Sequence, residues 1–239
     1  MKKRTDKQNE TVMPHKMSTF SVEKAHRAQL QMSKWIILDD RLPPRIRPIA
    51  GIDVAYTKDL SIAAATVLDY DSLEVVESQI AVTKTRMPYI PTLLSFREIP
   101  PSILSIKKLR SQPDLILIDG QGLAHPYRLG LASHLGLVTG QPTIGVAKNR
   151  LFGEVEKART EDNVTFLKHE GEVVGAAVTT KQGSKPVYVS IGHMVSSKTA
   201  IRVVKMCIRN GRIPEPLMKT HQMANVEKRK ILIQSQGYD

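Results

Sequence analysis

Residues 114–148 read DLILIDGQGLAHPYRLGLASHLGLVTGQPTIGVAK, and this stretch decides the fold. Leu115, Ile116, Leu117 and Ile118 form an unbroken apolar run of strand length, as expected for a strand buried on both faces. The run ends on Asp119, then Gly120 and Gly122. A carboxylate at the tip of a buried strand is where α/β proteins commonly place their chemistry, and the glycines let a ligand approach the backbone. Leu129, Leu131, Ala132, Leu135 and Leu137 then recur at helical spacing until Gly140 and Pro142 stop them. Thr143 to Ala147 is a second apolar run, closed by Lys148. Strand, acidic loop, helix, strand is a parallel crossover with its active edge at the strand tips.

Working outward, Ser21 is a plausible cap for a helix through Trp35, with Glu23 in its first turn. Ile49–Tyr56 (IAGIDVAY) is a strand pattern with one carboxylate, Asp53, in its middle. A buried unpaired charge costs several kcal/mol, so Asp53 needs a partner or a metal. Ile62–Leu68 and Val75–Val82 follow across the turn-like Asp69 to Ser72, which makes an antiparallel meander. Joined to the crossover, the meander implies a mixed sheet flanked by helices, in which Asp53 can lie near Asp119. Pro88 and Pro91 bracket Tyr89 and Ile90 and stiffen a projecting loop. A helical turn or two then carries Leu93, Leu94, Phe96 and Glu98, and Pro101–Leu109 is expected as a further helix.

Beyond Lys148 come Leu151 to Gly153, a polar stretch, and a hairpin of Val173–Thr179 and Val187–Ile191 turning at Gln182 to Ser184. Ser196 or Ser197 caps a helix through Ile208, closed by Gly211. Pro214 and Pro216 can open a last helix, on which Leu217, His221 and Ala224 share a face.

The chain has 239 residues, 41% hydrophobic and 24% charged, which reads as globular and long enough for one large domain. The expected organisation is a basic, flexible tail at 1–16, one domain over 17–235 and a short tail at 236–239. No run of 18 apolar residues and no signal-peptide core is present, so a soluble cytoplasmic protein without membrane contact is expected. The single Cys207 lies in an apolar-periodic segment and is read as a buried structural thiol. A net charge of +12 favours polyanionic partners without specifying a fold.

Asp53, Glu98, Asp119 and His221 come from four separated segments. Singly, a strand Asp, a helix-end Glu or a helix His is more often structural. Together, hard carboxylates and one imidazole suit Mg²⁺ or Mn²⁺, and such a cluster in a basic protein suits phosphodiester cleavage. Lys148 can neutralise a phosphate or be a solvated strand end, and His125 can orient water or phosphate or cap the next helix. His134 reads as structural, His193 is assigned no role, and Tyr89 can wedge into a base stack or pack on its own protein. GQPTIGVAK lacks the Gly-Lys-Ser/Thr pattern of a phosphate loop.

The segments GIDVAY (51–56), PYIPTLLSFRE (88–98), the block 114–136, PTIGVAKNRL (142–151), PVYVSIGHMVS (186–196) and IPEPLMKTH (213–221) together closely resemble the endonuclease V family. The match runs in family order from about residue 47 to 225. It implies a ribonuclease H-like fold and a Mg²⁺-dependent repair enzyme, with Mn²⁺ able to substitute. Such an enzyme recognises deoxyinosine and nicks the same strand at the second phosphodiester bond on its 3′ side, leaving a 3′-hydroxyl and a 5′-phosphate. On this resemblance Asp53, Asp119, Glu98 and His221 match metal ligands, and Lys148 the catalytic lysine. Tyr89 matches the wedge tyrosine, with Pro88, Ile90, Pro91 and His125 beside the DNA. The displaced base would enter a pocket at Gly120 and Gly122, walled by Leu94 and Leu151. Gln121 stands where many relatives carry His or Asn, and Tyr127 where many carry Arg, so changed phosphate contacts or substrate preference are expected there, with the metal chemistry kept.

Three other readings remain beside it: the same chemistry on inosine-containing RNA, a non-catalytic nucleic-acid-binding module, and a small-molecule phosphotransferase. The module would have lost carboxylates that are present here, and the phosphotransferase would need a nucleotide-binding loop. A monomer is expected.

Overall fold

Leu115, Ile116, Leu117 and Ile118 are all completely buried, and the sheet is built outward from them. The computed structural model describes residues 20–156 and 163–236. The expected tails at 1–16 and 236–239 therefore lie outside the described residues, apart from Gln236, which ends the last helix. In chain order the elements are α1 (Val22–Ser33), β1 (Pro48–Tyr56), β2 (Leu60–Asp69), β3 (Val75–Lys84), α2 (Leu94–Lys107), β4 (Leu115–Asp119) and α3 (Leu131–Thr139). There follow β5 (Thr143–Ala147), β6 (Glu154–Val155), β7 (Val164–His169), β8 (Glu172–Val178), β9 (Val187–His193), α4 (Ser197–Met206) and α5 (Glu215–Gln236). Among the described residues no helix is long and apolar enough to cross a membrane.

The strands form one open mixed sheet in the order β3-β2-β1-β4-β5-β9-β8-β7-β6. β1 runs parallel to β4, and β4 parallel to β5, as the crossover pattern requires. β1, β2 and β3 make the expected antiparallel meander. One face packs Ile49, Leu68, Leu115, Leu117 and Ile144 with Val203, Val204 and Leu217 of the last two helices. The other packs Ile52, Val67, Ile116 and Ile118 with Ile99 of α2 and Leu131 and Leu135 of α3. Burial of each such Leu or Ile contributes about 2 kcal/mol. Cys207 belongs to the first face, fully buried, where burial pushes its thiol up to about 12.

Three local expectations are corrected. The break at Pro100 and Pro101 is absent, because α2 runs through both prolines as one helix. Proline removes donors to the preceding turn without dictating that the helix end. The polar stretch after Gly153 instead supplies two strands, the short edge strand β6 and the longer β7 beside it. β7 turns into β8 through Glu170 (φ 50°) and Gly171 (φ 82°), two left-handed residues in a row as a tight primed hairpin turn needs. Glu-Gly is a weak form of that signal. The third correction is at α1, which ends at Ser33, two residues before the Trp35 expected from the sequence.

His134 is 7% exposed on α3, hydrogen-bonded to Ser95 Oγ of α2 at 3.0 Å and set edge-on against Phe96. Burial pushes its imidazole down to about 4. An unfolded chain binds that proton near pH 6.5, so between pH 6.5 and 4 the unfolded state holds more proton than the folded one. Stability from this group is complete above pH 6.5 and falls as the pH drops through that window, by about 3 kcal/mol at most. We expect the urea midpoint to drop from pH 7 to pH 5, and His134→Gln to flatten part of that drop. An equal slope in the variant would assign the acid sensitivity elsewhere.

Candidate metal centre

Asp53 lies inside β1, and Asp119 closes β4. The two strands pair in parallel through Ile52 and Ile118, each one residue before its carboxylate. That register places both carboxylates at the same end of the sheet. α5 crosses β1 and brings in His221, with Leu217 and Ala224 buried on the helix. His221 Nδ1 lies 2.7 Å from Asp53 Oδ2, and Lys148 Nζ donates to Asp119 Oδ2 at 2.6 Å. One ligand atom from each of Asp53, Asp119 and His221 fits within 4.8 Å of the others.

Glu98 is 7% exposed on α2 and stands outside that trio. Burial pushes its carboxyl up to about 8; the Tyr56 hydroxyl, which donates to Oε1 at 3.0 Å, opposes this, while the charges of Asp53 and Asp119 add to it. Burial and the Asp53 charge likewise raise Asp119, with Lys148 pulling the other way. Burial and mutual repulsion raise Glu98 and Asp119, and a cation bound among these groups would relieve both. A hard divalent cation fits this donor set, since oxygen ligands and one imidazole are what Mg²⁺ and Mn²⁺ accept.

Asn225 and Tyr56 support the site without standing out in the sequence. Asn225 Nδ2 lies 3.1 Å from His221 Nε2 and also donates to the His221 carbonyl at 2.8 Å. Its i+4 spacing from His221 is the one available signal, because such pairs meet on one helix face. Arg97 lies over the Tyr56 ring, 3.9 Å from its centroid, and so backs the phenol that holds Glu98.

The Pro88–Pro91 loop presents Tyr89 at 64% exposure, with Pro88 and Pro91 exposed and Ile90 half-buried. Leu94 is half-buried at the start of α2, and Leu151 is 50% exposed beyond Lys148. A Cβ on Gly122 would meet the Ile191 carbonyl oxygen at 2.1 Å, so glycine there permits close packing of loop on β9. Gly122 N–H donates to Ser190 Oγ, and its carbonyl accepts from Gly130. Gly120 is more open: a Cβ there would meet only the Leu131 side chain, at 3.3 Å.

His125, read from the sequence as orienting water or phosphate or as capping the next helix, is 3% exposed. Its Nδ1 accepts from Tyr127 N–H at 3.2 Å, the ring also bonds to the Thr92 backbone, and burial pushes it down to about 4. It braces two loops from inside. Gln121 turns inward too, donating to the Asn149 carbonyl at 2.9 Å, and Tyr127 stacks on His26 with centroids 4.0 Å apart. His193 accepts from Ile37 N–H at 3.2 Å.

The endonuclease V family model matches residues 30–222. Endonuclease V of Thermofilum pendens is 46% identical over 211 residues, covering 88% of this chain and 90% of that protein. The crystal structure of endonuclease V from Streptomyces avermitilis superposes with a TM-score of 0.82 at 38% identity, covering 89% of this chain and 95% of that one. Ciona intestinalis endonuclease V, solved with a 24mer DNA containing an inosine followed by a ribo-adenosine, gives 0.80 at 30% identity, covering 88% and 98%. With the same mixed sheet and a match spanning every strand that carries a site residue, this chain belongs to the endonuclease V family.

Proposed function

We propose that this protein is a DNA repair endonuclease that recognises deoxyinosine and hydrolyses the same strand at the second phosphodiester bond 3′ to it. The observation that carries the reading is the Asp53–Asp119–His221 cluster, in a member of this family whose exposed Tyr89 stands on a proline-stiffened loop. Inosine-containing DNA bound to the Ciona relative supports the substrate. One continuous sheet over the described strands supports treating 17–235 as a single nuclease unit.

In this reading Asp53, Asp119 and His221 hold Mg²⁺, for which Mn²⁺ substitutes, with Glu98 next to them. The cation supplies charge that stabilises the phosphate and the leaving oxygen. Water adds to phosphorus, the P–O3′ bond breaks, and a proton passes to O3′, giving the 3′-hydroxyl and 5′-phosphate. Lys148 exchanges part of its contact with Asp119 for the phosphate. Tyr89, flanked by Pro88, Ile90 and Pro91, fills the stack that the extruded base leaves, at a cost of a few kcal/mol met most easily at weak pairs. Gly120, Leu94 and Leu151 border the base; Gly122, with both backbone groups engaged, shapes the loop from behind.

The test is a nicking assay on a duplex with one deoxyinosine, run with Mg²⁺ and with chelator, beside an undamaged duplex and an inosine-containing RNA strand. A Mg²⁺-dependent nick at the second bond 3′ to the lesion is expected. Cutting of the RNA alone would transfer the chemistry to RNA, and binding without cutting of either would refute the nuclease reading.

A further inference from the structure

Helix α1 is remote in sequence from every metal ligand, yet one buried side chain on it touches both loops that the reaction needs. Gln29 is 0% exposed. Its single amide nitrogen donates to the Thr92 carbonyl at 2.9 Å and to the Leu129 carbonyl at 3.1 Å. An NH₂ group has two hydrogens, so both bonds form at once. The reversed amide would aim an oxygen at two carbonyl oxygens, which fixes the orientation.

The two acceptors belong to different machinery. Thr92 ends the proline loop three residues after Tyr89, and Leu129 lies in the loop that leaves Asp119, just before Gly130 bonds back to Gly122. Thr92 has φ 68°, a left-handed conformation that a β-branched residue rarely adopts, so the surrounding contacts hold it. One helical turn before Gln29, His26 Nε2 lies 2.9 Å from Thr92 Oγ1. The same ring stacks on Tyr127, with 15° between planes, in the Asp119 loop. His125 from that loop also hydrogen-bonds to the Thr92 backbone. Gln29, His26 and His125 therefore converge on the residue where the Tyr89 loop turns into α2.

We propose that α1 is a clamp that sets the position of the Tyr89 loop relative to the metal loop, with Gln29 as its positioning residue. It thereby fixes the offset between the base that is recognised and the bond that is cut. This rests on the function proposed above. Gln29 touches none of Asp53, Asp119 or His221, so the clamp governs where and on what the enzyme acts and leaves the affinity for the metal alone.

Gln29→Leu in the full chain removes both donors at similar volume. The duplex carries 2-aminopurine beside the deoxyinosine, so that its fluorescence reports unstacking. We expect selectivity for the deoxyinosine duplex over the undamaged one, as a ratio of kcat/KM, to fall about tenfold. Cuts are expected to spread to neighbouring bonds and the fluorescence rise on binding to shrink. Mn²⁺ affinity by calorimetry on the free protein is expected to stay unchanged. His26→Phe is the companion variant: it keeps a ring on Tyr127 and loses only the Thr92 bond, at a partly exposed position, and should move selectivity in the same direction. A purely structural role would lower the melting temperature of Gln29→Leu and leave selectivity, cut position and fluorescence as in the wild type; that pattern in both variants overturns the clamp. If the wild type leaves the deoxyinosine duplex uncut, the proposed function fails and the clamp fails with it.

Discussion

Asp119→Asn is expected to lower metal-dependent nicking about a thousandfold, some 4 kcal/mol of transition-state stabilisation. The change preserves shape and removes one charge. It takes a ligand atom from the Asp53–Asp119–His221 cluster and the counter-charge from Lys148, which now donates to Asp119 Oδ2 at 2.6 Å. Stability should move the other way. Burial and the Asp53 charge already raise the Asp119 carboxyl, so its ionised form is a strain on the metal-free fold. Removing that charge relieves repulsion, and the variant should melt at an equal or higher temperature. Activity lost while stability is kept or gained is the signature of a residue retained for chemistry. Calorimetric Mn²⁺ titration and thermal melting, read beside nicking, separate the effects. Nicking within tenfold of wild type, or activity lost only through unfolding, would remove Asp119 from the metal set.

Asp119 is legible because a strand tip follows from pattern, and Asp53 because a lone carboxylate inside a strand needs a partner or a metal. An apolar run with no polar interruption reports burial on both faces, and the first charged residue after it stands at the strand's end. The parallel pairing of β1 with β4 then follows from the crossover, and the carboxylates meet. Spacing places His221 on a helix face, but only α5 crossing β1 shows which strand it faces. What stays hidden depends on two distant segments at once. Gln29 is a polar residue in an amphipathic helix, and nothing local marks it as buried between Thr92 and Leu129. For His125 the sequence gives a histidine near the site without saying that its ring turns inward. β7 escapes a pattern reading because its mixed exposure lacks clean alternation and its turn uses Glu-Gly.

Gly51→Ala should damage the metal centre severely through a single added methyl, although residue 51 carries no chemistry. A Cβ there would sit 2.2 Å from the Pro216 carbonyl oxygen and 2.6 Å from Thr220 Oγ1. The first atom is backbone and cannot rotate away. Thr220 Oγ1 is itself tied to that carbonyl at 2.6 Å, so the first turns of α5 resist as a unit. α5 must therefore lift from β1 by about 1 Å, a displacement large enough to cost two orders of magnitude in a positioned active site. Overpacking of this kind costs about 3 kcal/mol. His221 follows Thr220 directly, and Asp53 lies two residues beyond Gly51 on the strand, so the lift opens the 2.7 Å contact between them. The expected result is a folded protein with a lower urea midpoint and weaker Mn²⁺ binding, though every ligand is still present. Adding Thr220→Ala should recover little, because the carbonyl clash stays. Unchanged Mn²⁺ affinity in the destabilised variant would mean that His221 is not held to the metal by the seat of α5 on β1, and its place among the ligands would have to be given up.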